Sequence, residues 1–129
     1  MFLIKNSFAF FDVRSNENLV ISGTVKFDPI LKLPYLSTNS GNTIFNLVNK
    51  QGVNVTNVDS IYFMDTTNMD LSTVGNIAYF RGTDDNMIQA WRTGNNLYIG
   101  SNGTVYPGPS MNNAFYNMRN LNVLDMNNV

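Results

Sequence analysis

Asp84, Asp85 and Asn86 are consecutive, just after Gly82-Thr83, and Asp65, Asn68 and Asp70 form a second run of short oxygen-bearing side chains. Carboxylate and amide oxygens of this kind are what a hard cation such as Ca²⁺ selects. Neither run continues into the Gly-spaced carboxylate series of a dedicated calcium loop, so the expectation for both is a solvated loop between strands. Two acids can also cleave a glycosidic bond, if their carboxyls are held about 5–9.5 Å apart across it. Glu17 is the only glutamate, and no spacing in the chain sets two acids face to face. The chain has no His, the commonest general base and transition-metal ligand. It has no Cys, which removes disulfides and thiol chemistry. The expectation is a non-enzyme with no catalytic residue, no cofactor and no metal.

What remains is contact. Trp91, Tyr98 and Tyr106 are expected on the hairpin, where an aromatic strip can stack on a sugar or anchor a protein partner. Trp91 is expected in the core, covering a helix that carries Phe115, with the tyrosines half-exposed. Tyr98 and Tyr106, together with Phe8 and Phe10 near the N-terminus, are the candidate partner-binding residues. Met87, Met111, Met118 and Met126 are expected to fill the core, although Met side chains also make adaptable interfaces. Asn54-Val55-Thr56 and Asn102-Gly103-Thr104 match the glycosylation acceptor pattern. In a chain with 22 Asn among 129 residues both are expected to be coincidental.

Composition points the same way. Hydrophobic residues make up 43%, enough for a core, but charged residues only 13%, about half the usual share. Net charge is −1, and Lys5, Arg14, Lys26, Lys32, Lys50, Arg81, Arg92 and Arg119 are scattered. No basic face follows from that distribution, so nucleic acid is not an expected partner. No apolar run has the length of a membrane helix. The N-terminus MFLIKNSFAFF is interrupted by Lys5-Asn6 and lacks the small-residue cleavage site of a secretory leader. The chain is expected to start in the cytoplasm and to reach an exterior only by assembly into a particle, by lysis, or as a piece of a longer protein.

These residues need elements to position them. Phe2, Ile4, Phe8, Phe10 and Val13 alternate as strands do, and residues 19–27 read as a strand pairing with them. A loop is expected over 30–42 and strands over Thr43–Val48 and Val58–Met64. Residues 76–80 read as strand or helix. Met87–Thr93 and Leu97–Gly100 flank Gly94-Asn95-Asn96, the best hairpin signal in the chain. Pro107-Gly108-Pro109 is expected to stop the strand Thr104–Tyr106. Ser110 then looks like the N-cap of a short helix carrying Met111, Ala114, Phe115 and Met118. Leu121, Val123, Leu124 and Met126 read as a closing strand. The fold expected is mainly β, sandwich-like or a small assembly of sheets, with one short C-terminal helix. Residues 1–55 form an N-terminal β region for docking or oligomerisation, and 56–129 a hairpin-helix-strand module.

The segment MNNAFYNMRNLNVLDMNNV resembles one unit of the BspA-like leucine-rich-repeat surface proteins, whose unit runs M-x-x-M-F-x-x-C-x-x-L-x-x-L-D-L. Met111, Phe115, Leu121, Leu124 and Asp125 match that pattern, while Ala114, Met118 and Met126 replace its second Met, Cys and last Leu. IQAWRTGNNLYIGSNGTVYP is similar to the hairpin before the family's first repeat, and SIYFMDTT to the preceding strand. The resemblance covers about residues 58–129 and implies a single solenoid-type unit associated with adhesion and protein binding. One such unit leaves its apolar face to be covered by something else.

The function expected is that of a structural protein of a virus particle, a bacteriophage head (capsid) decoration, fibre-base or tail component. Its partners would be other virion proteins and copies of itself. The alternative is a secreted or cell-surface bacterial adhesin that binds host protein or glycan.

Overall fold

Short apolar-alternating segments dominate the chain, and in the computed structural model they assemble into two sheets. The structure describes residues 19–23, 35–38, 41–80, 88–111, 114–115, 118 and 120–129. The elements are β1 (Val20–Ser22), β2 (Tyr35–Thr38), α1 (Ile44–Lys50), β3 (Ser60–Asp65), β4 (Ile77–Phe80), β5 (Ile88–Thr93), β6 (Asn96–Ser101), β7 (Tyr106–Met111) and β8 (Val123–Asp125). Six strands form one sheet in the order β1-β8-β3-β6-β5-β4, and β2 and β7 form a second, parallel pair. The fold is mainly β, with one short helix among the described residues.

The centre of the large sheet is the β5–β6 hairpin. Its register pairs Thr93 with Asn96, so the turn is two residues long, Gly94-Asn95. Gly94 has φ +59, and Asn95 is not among the positive-φ residues. A positive φ at the first central position alone is the type II′ arrangement, whose twist matches the flanking strands. Arg92 then locks the turn. Its Nε donates to the Gly94 carbonyl at 2.6 Å, one Nη to the Asn95 side chain at 3.1 Å, and the other Nη to the carbonyls of Asn54 (3.1 Å) and Thr56. The planar fork of Arg suits several fixed acceptors at once, and here it ties the loop before β3 to the hairpin tip.

Around the hairpin the sheet is mixed. β6 lies parallel to β3, β3 parallel to β8, and β8 parallel to β1, while β4 lies antiparallel to β5. The strand period of two then divides the side chains between faces. On one face Ile61, Phe63, Leu97, Ile99, Ala90 and Leu124 are buried. Ile44 and Val48 of α1, Leu36 of β2, and Val105, Phe115 and Leu121 close over them in a single cluster. Each fully buried Leu, Ile or Phe contributes about 1.5–3 kcal/mol relative to exposure. The described parts of 1–55 share this core with 56–129: β1 extends the large sheet, β2 pairs with β7, and the Ile44 amide donates to the Ala114 carbonyl at 3.1 Å.

Several expectations are corrected. Thr43–Val48 is not a strand: Ile44–Lys50 is helical, with Thr43 as N-cap accepting from the Asn46 amide at 3.2 Å. Ile44 and Val48 are the buried positions, and a spacing of four satisfies the helical period as well as the strand period. The cap and Gly52 at φ +89 after Gln51 decide for the helix. Ser110 is not an N-cap, because Ser110 and Met111 belong to β7, and Ala114-Phe115 is a turn. Pro107 and Pro109 do not stop the strand but lie within it. Each Pro biases the residue before it toward extended backbone, and among the described strands β7 pairs with β2 alone, so missing donors are tolerated. Of the strand expected over 19–27, residues 19–23 are described, and its expected partner, 2–13, lies outside the described residues. β1 pairs in parallel with β8, Val20 opposite Val123.

Candidate functional site

The sheet's other face carries a row of residues that the register aligns across all six strands: Ser22, Asp125, Tyr62, Tyr98, Trp91 and Ile77. Three rings stand side by side at its centre. Tyr62 stacks on Tyr98 with centroids 5.5 Å apart and planes 22° from parallel, and Tyr98 stacks on Trp91 at 5.6 Å and 17°. Neighbouring strands lie about 4.8 Å apart, so rings projecting from aligned positions meet face to face. Tyr98 thus has a ring against each of its faces. Its hydroxyl accepts from the Asn96 side chain at 3.2 Å, which fixes its orientation. Tyr62 and Tyr98 are half-buried and Trp91 is 3% exposed.

Trp91 is buried as expected, but not over Phe115. It lies on the opposite face and outside the main cluster, while Phe115 meets Phe63 edge to face at 6.5 Å and 90°. Tyr98 is half-buried, and so is Tyr106, which sits on β7 rather than on the hairpin. Phe8, Phe10, Asp84, Asp85 and Met87 lie outside the described residues. Met118 and Met126 are in the core. Sequence reading missed Tyr62. Its only signal was its place between Ile61 and Phe63 in an alternating strand, which sends it to the face opposite theirs.

Three of the described acids, Asp65, Asp70 and Asp125, cap turns. The Asp65 Oδ1 accepts from the amides of Thr67 (2.9 Å) and Gly103 (3.0 Å) and from the Thr67 hydroxyl. Asp70 accepts from the Ser72 amide, and Asp125 from the Asn127 amide, each at 2.9 Å. Asn54 makes the same two-residue closure to the Thr56 amide at 2.8 Å. This is the local backbone bonding that favours Asx residues in turns. Among the described residues no group of three or more acids gathers, and no helix is long and apolar enough to cross a membrane.

The Thr67 hydroxyl, then the Thr67 and Gly103 amides, hold the Asp65 carboxyl below its ordinary value of 3.8, and Ser72 does the same for Asp70. A lowered folded pKa adds stability above the unfolded value, and that stability is lost as pH falls through the folded one. The urea midpoint should therefore drop between pH 6 and pH 2. Asp65→Asn keeps an acceptor oxygen but loses the charge, so its drop should be smaller. An equal drop in both proteins would show that Asp65 does not contribute to the acid response.

Compared with protein-family models, curated proteins and solved structures, the chain matches none. Its function therefore has to be argued from its own residues.

Proposed function

We propose that the chain is a non-enzymatic structural protein of a virus particle, a bacteriophage head-decoration, fibre-base or tail component, acting through protein–protein contacts. The supporting observation is the stacked Tyr62–Tyr98–Trp91 row, set outside the main core on the second face of the sheet. Tyr and Trp supply large, rigid contact area at little cost in side-chain entropy, which is why they anchor protein interfaces. A chain with 13% charged residues and net charge −1 repels neighbouring subunits weakly, as suits a packed assembly. Tyr98 is the candidate partner-contacting residue on that row, and Tyr106 lies on the second sheet.

The rival reading is a bacterial adhesin that binds host protein or glycan. Sugar binding by stacking needs an open ring face, and both faces of Tyr98 are taken by its neighbours. A leader or further repeats in the parent gene would favour the rival. The deciding experiment is mass spectrometry of purified virions from the source, set beside the solution mass of the recombinant chain. The proposal expects the chain among the virion proteins. A stable monomer absent from any particle overturns it.

A further inference from the structure

We infer that Asn102-Gly103 is a site of spontaneous deamidation, and that Asp65 and Thr67 form the clasp that holds it closed while the chain is folded.

The chemistry needs only water. In an Asn-Gly pair the glycine nitrogen attacks the asparagine Cγ. The nitrogen loses its proton, a C–N bond forms, and the carboxamide nitrogen leaves as ammonia, giving a five-membered succinimide. Water then opens that ring at one of its two carbonyls, and the product is aspartate or isoaspartate. A side chain on the following residue hinders the attack, and glycine has none. Of the 22 asparagines, only Asn102 is followed by Gly. Its side chain is exposed.

The fold itself demands this pair. Gly103 stands at φ +104, just beyond the end of β6, where an L side chain would be strained. The turn therefore selects glycine and leaves the nitrogen after Asn102 unshielded.

Both reacting groups are tied down instead. The Gly103 amide donates to the Asp65 Oδ1 at 3.0 Å, and the Gly103 carbonyl accepts from the Asn128 side chain at 2.9 Å. The Thr67 hydroxyl bonds to the Asp65 carboxyl and lies 2.7 Å from the Asn102 carboxamide oxygen. An N–H given to a carboxylate is harder to deprotonate, because the carboxylate opposes a second negative charge beside it. Ring closure also needs the Gly103 nitrogen and the Asn102 carboxamide to turn toward each other, out of these bonds. Reaction is left to molecules in which the turn has opened. Its product would keep the clasp from re-forming, since a new carboxylate at position 102 faces that of Asp65 across Thr67.

The test incubates the full chain in mildly alkaline buffer at body temperature. The peptide carrying Asn102 is followed by mass and by separation of its aspartyl and isoaspartyl forms. In guanidinium chloride the wild-type chain should convert at Asn102 at least about tenfold faster than when folded, because every molecule is then open. Folded Asp65→Ala, which leaves the Gly103 amide without its acceptor, should convert about tenfold faster than folded wild type, the scale of one hydrogen bond to a charged group. Thr67→Val keeps the shape without the hydroxyl and should fall between the two. Circular dichroism establishes which variants are folded. Three outcomes overturn the inference: a folded wild-type chain that converts as fast as the unfolded one, a folded Asp65→Ala as slow as wild type, or an unfolded chain in which Asn102 converts no faster than the other asparagines. If Asp65→Ala does not fold, Thr67→Val decides, and a rate equal to wild type overturns the clasp.

Discussion

Phe115→Ala should cost about 4 kcal/mol of unfolding free energy, a large fraction of the roughly 5–15 kcal/mol that a domain commonly has. The side chain is fully buried and is among the largest so enclosed. It sits in the Ala114-Phe115 turn, whose Ala114 carbonyl receives the Ile44 amide at the start of α1. From there it meets Phe63 of β3 edge to face at 6.5 Å. One ring therefore joins the turn after β7 and the entry of α1 to the middle of the large sheet. Truncation forfeits the transfer energy of the ring, leaves a cavity that rigid strands close only in part, and removes an aromatic pair worth about 1 kcal/mol. Phe115→Leu refills most of that volume and should cost roughly half as much. Urea unfolding decides it, with an unchanged slope establishing that stability moved rather than the denatured state. A loss below about 1 kcal/mol would mean that the ring is not packed beneath the sheet.

What the sequence made legible was local. The β5–β6 hairpin was readable because a turn with Gly at its first central position carries its own signal, and strand polarity follows from it. Once the turn is two residues long, Trp91 opposite Tyr98 follows by counting. The parallel pairings had no such signal. Val20 lies beside Val123, and Ser60 beside Asn96 and Val123, through packing of apolar faces that no spacing within either strand encodes. That is why Tyr62 was missed and the three-ring row was read as a two-strand strip. The helix at Ile44–Lys50 failed for a different reason. Seven residues with apolar positions four apart satisfy both periods, and only the Thr43 cap and the glycine beyond Gln51 break the tie. The segment after Tyr106 failed because Pro was read as a stop, when an edge strand paired on one side can hold it.

Gly23→Ala should cost about 3 kcal/mol, and Gly52→Ala about 1 kcal/mol, although both glycines have φ +89. The equal angles make the pair informative. At Gly52 a Cβ would meet nothing within 4 Å, so the substitution carries only the penalty of a left-handed backbone on an L-residue. At Gly23 the same atom would lie 2.5 Å from the Met126 carbonyl carbon and 2.7 Å from the Asn127 nitrogen. Those neighbours are backbone and have no rotamer to change. The strand after Leu124 must move, or β1 must leave it. The second response sets a ceiling, since detaching β1 forfeits the Met126 amide bond to the Ser22 carbonyl and the packing of Leu19 and Ile21 on the core. Amide exchange separates the responses. If β1 detaches, the Met126 amide should lose protection while Leu97 and Ile99 in the middle of the sheet keep theirs. If the two alanine variants cost the same, the close approach of Gly23 to Met126 does not exist in solution. The parallel β1–β8 pair would then have to be given up.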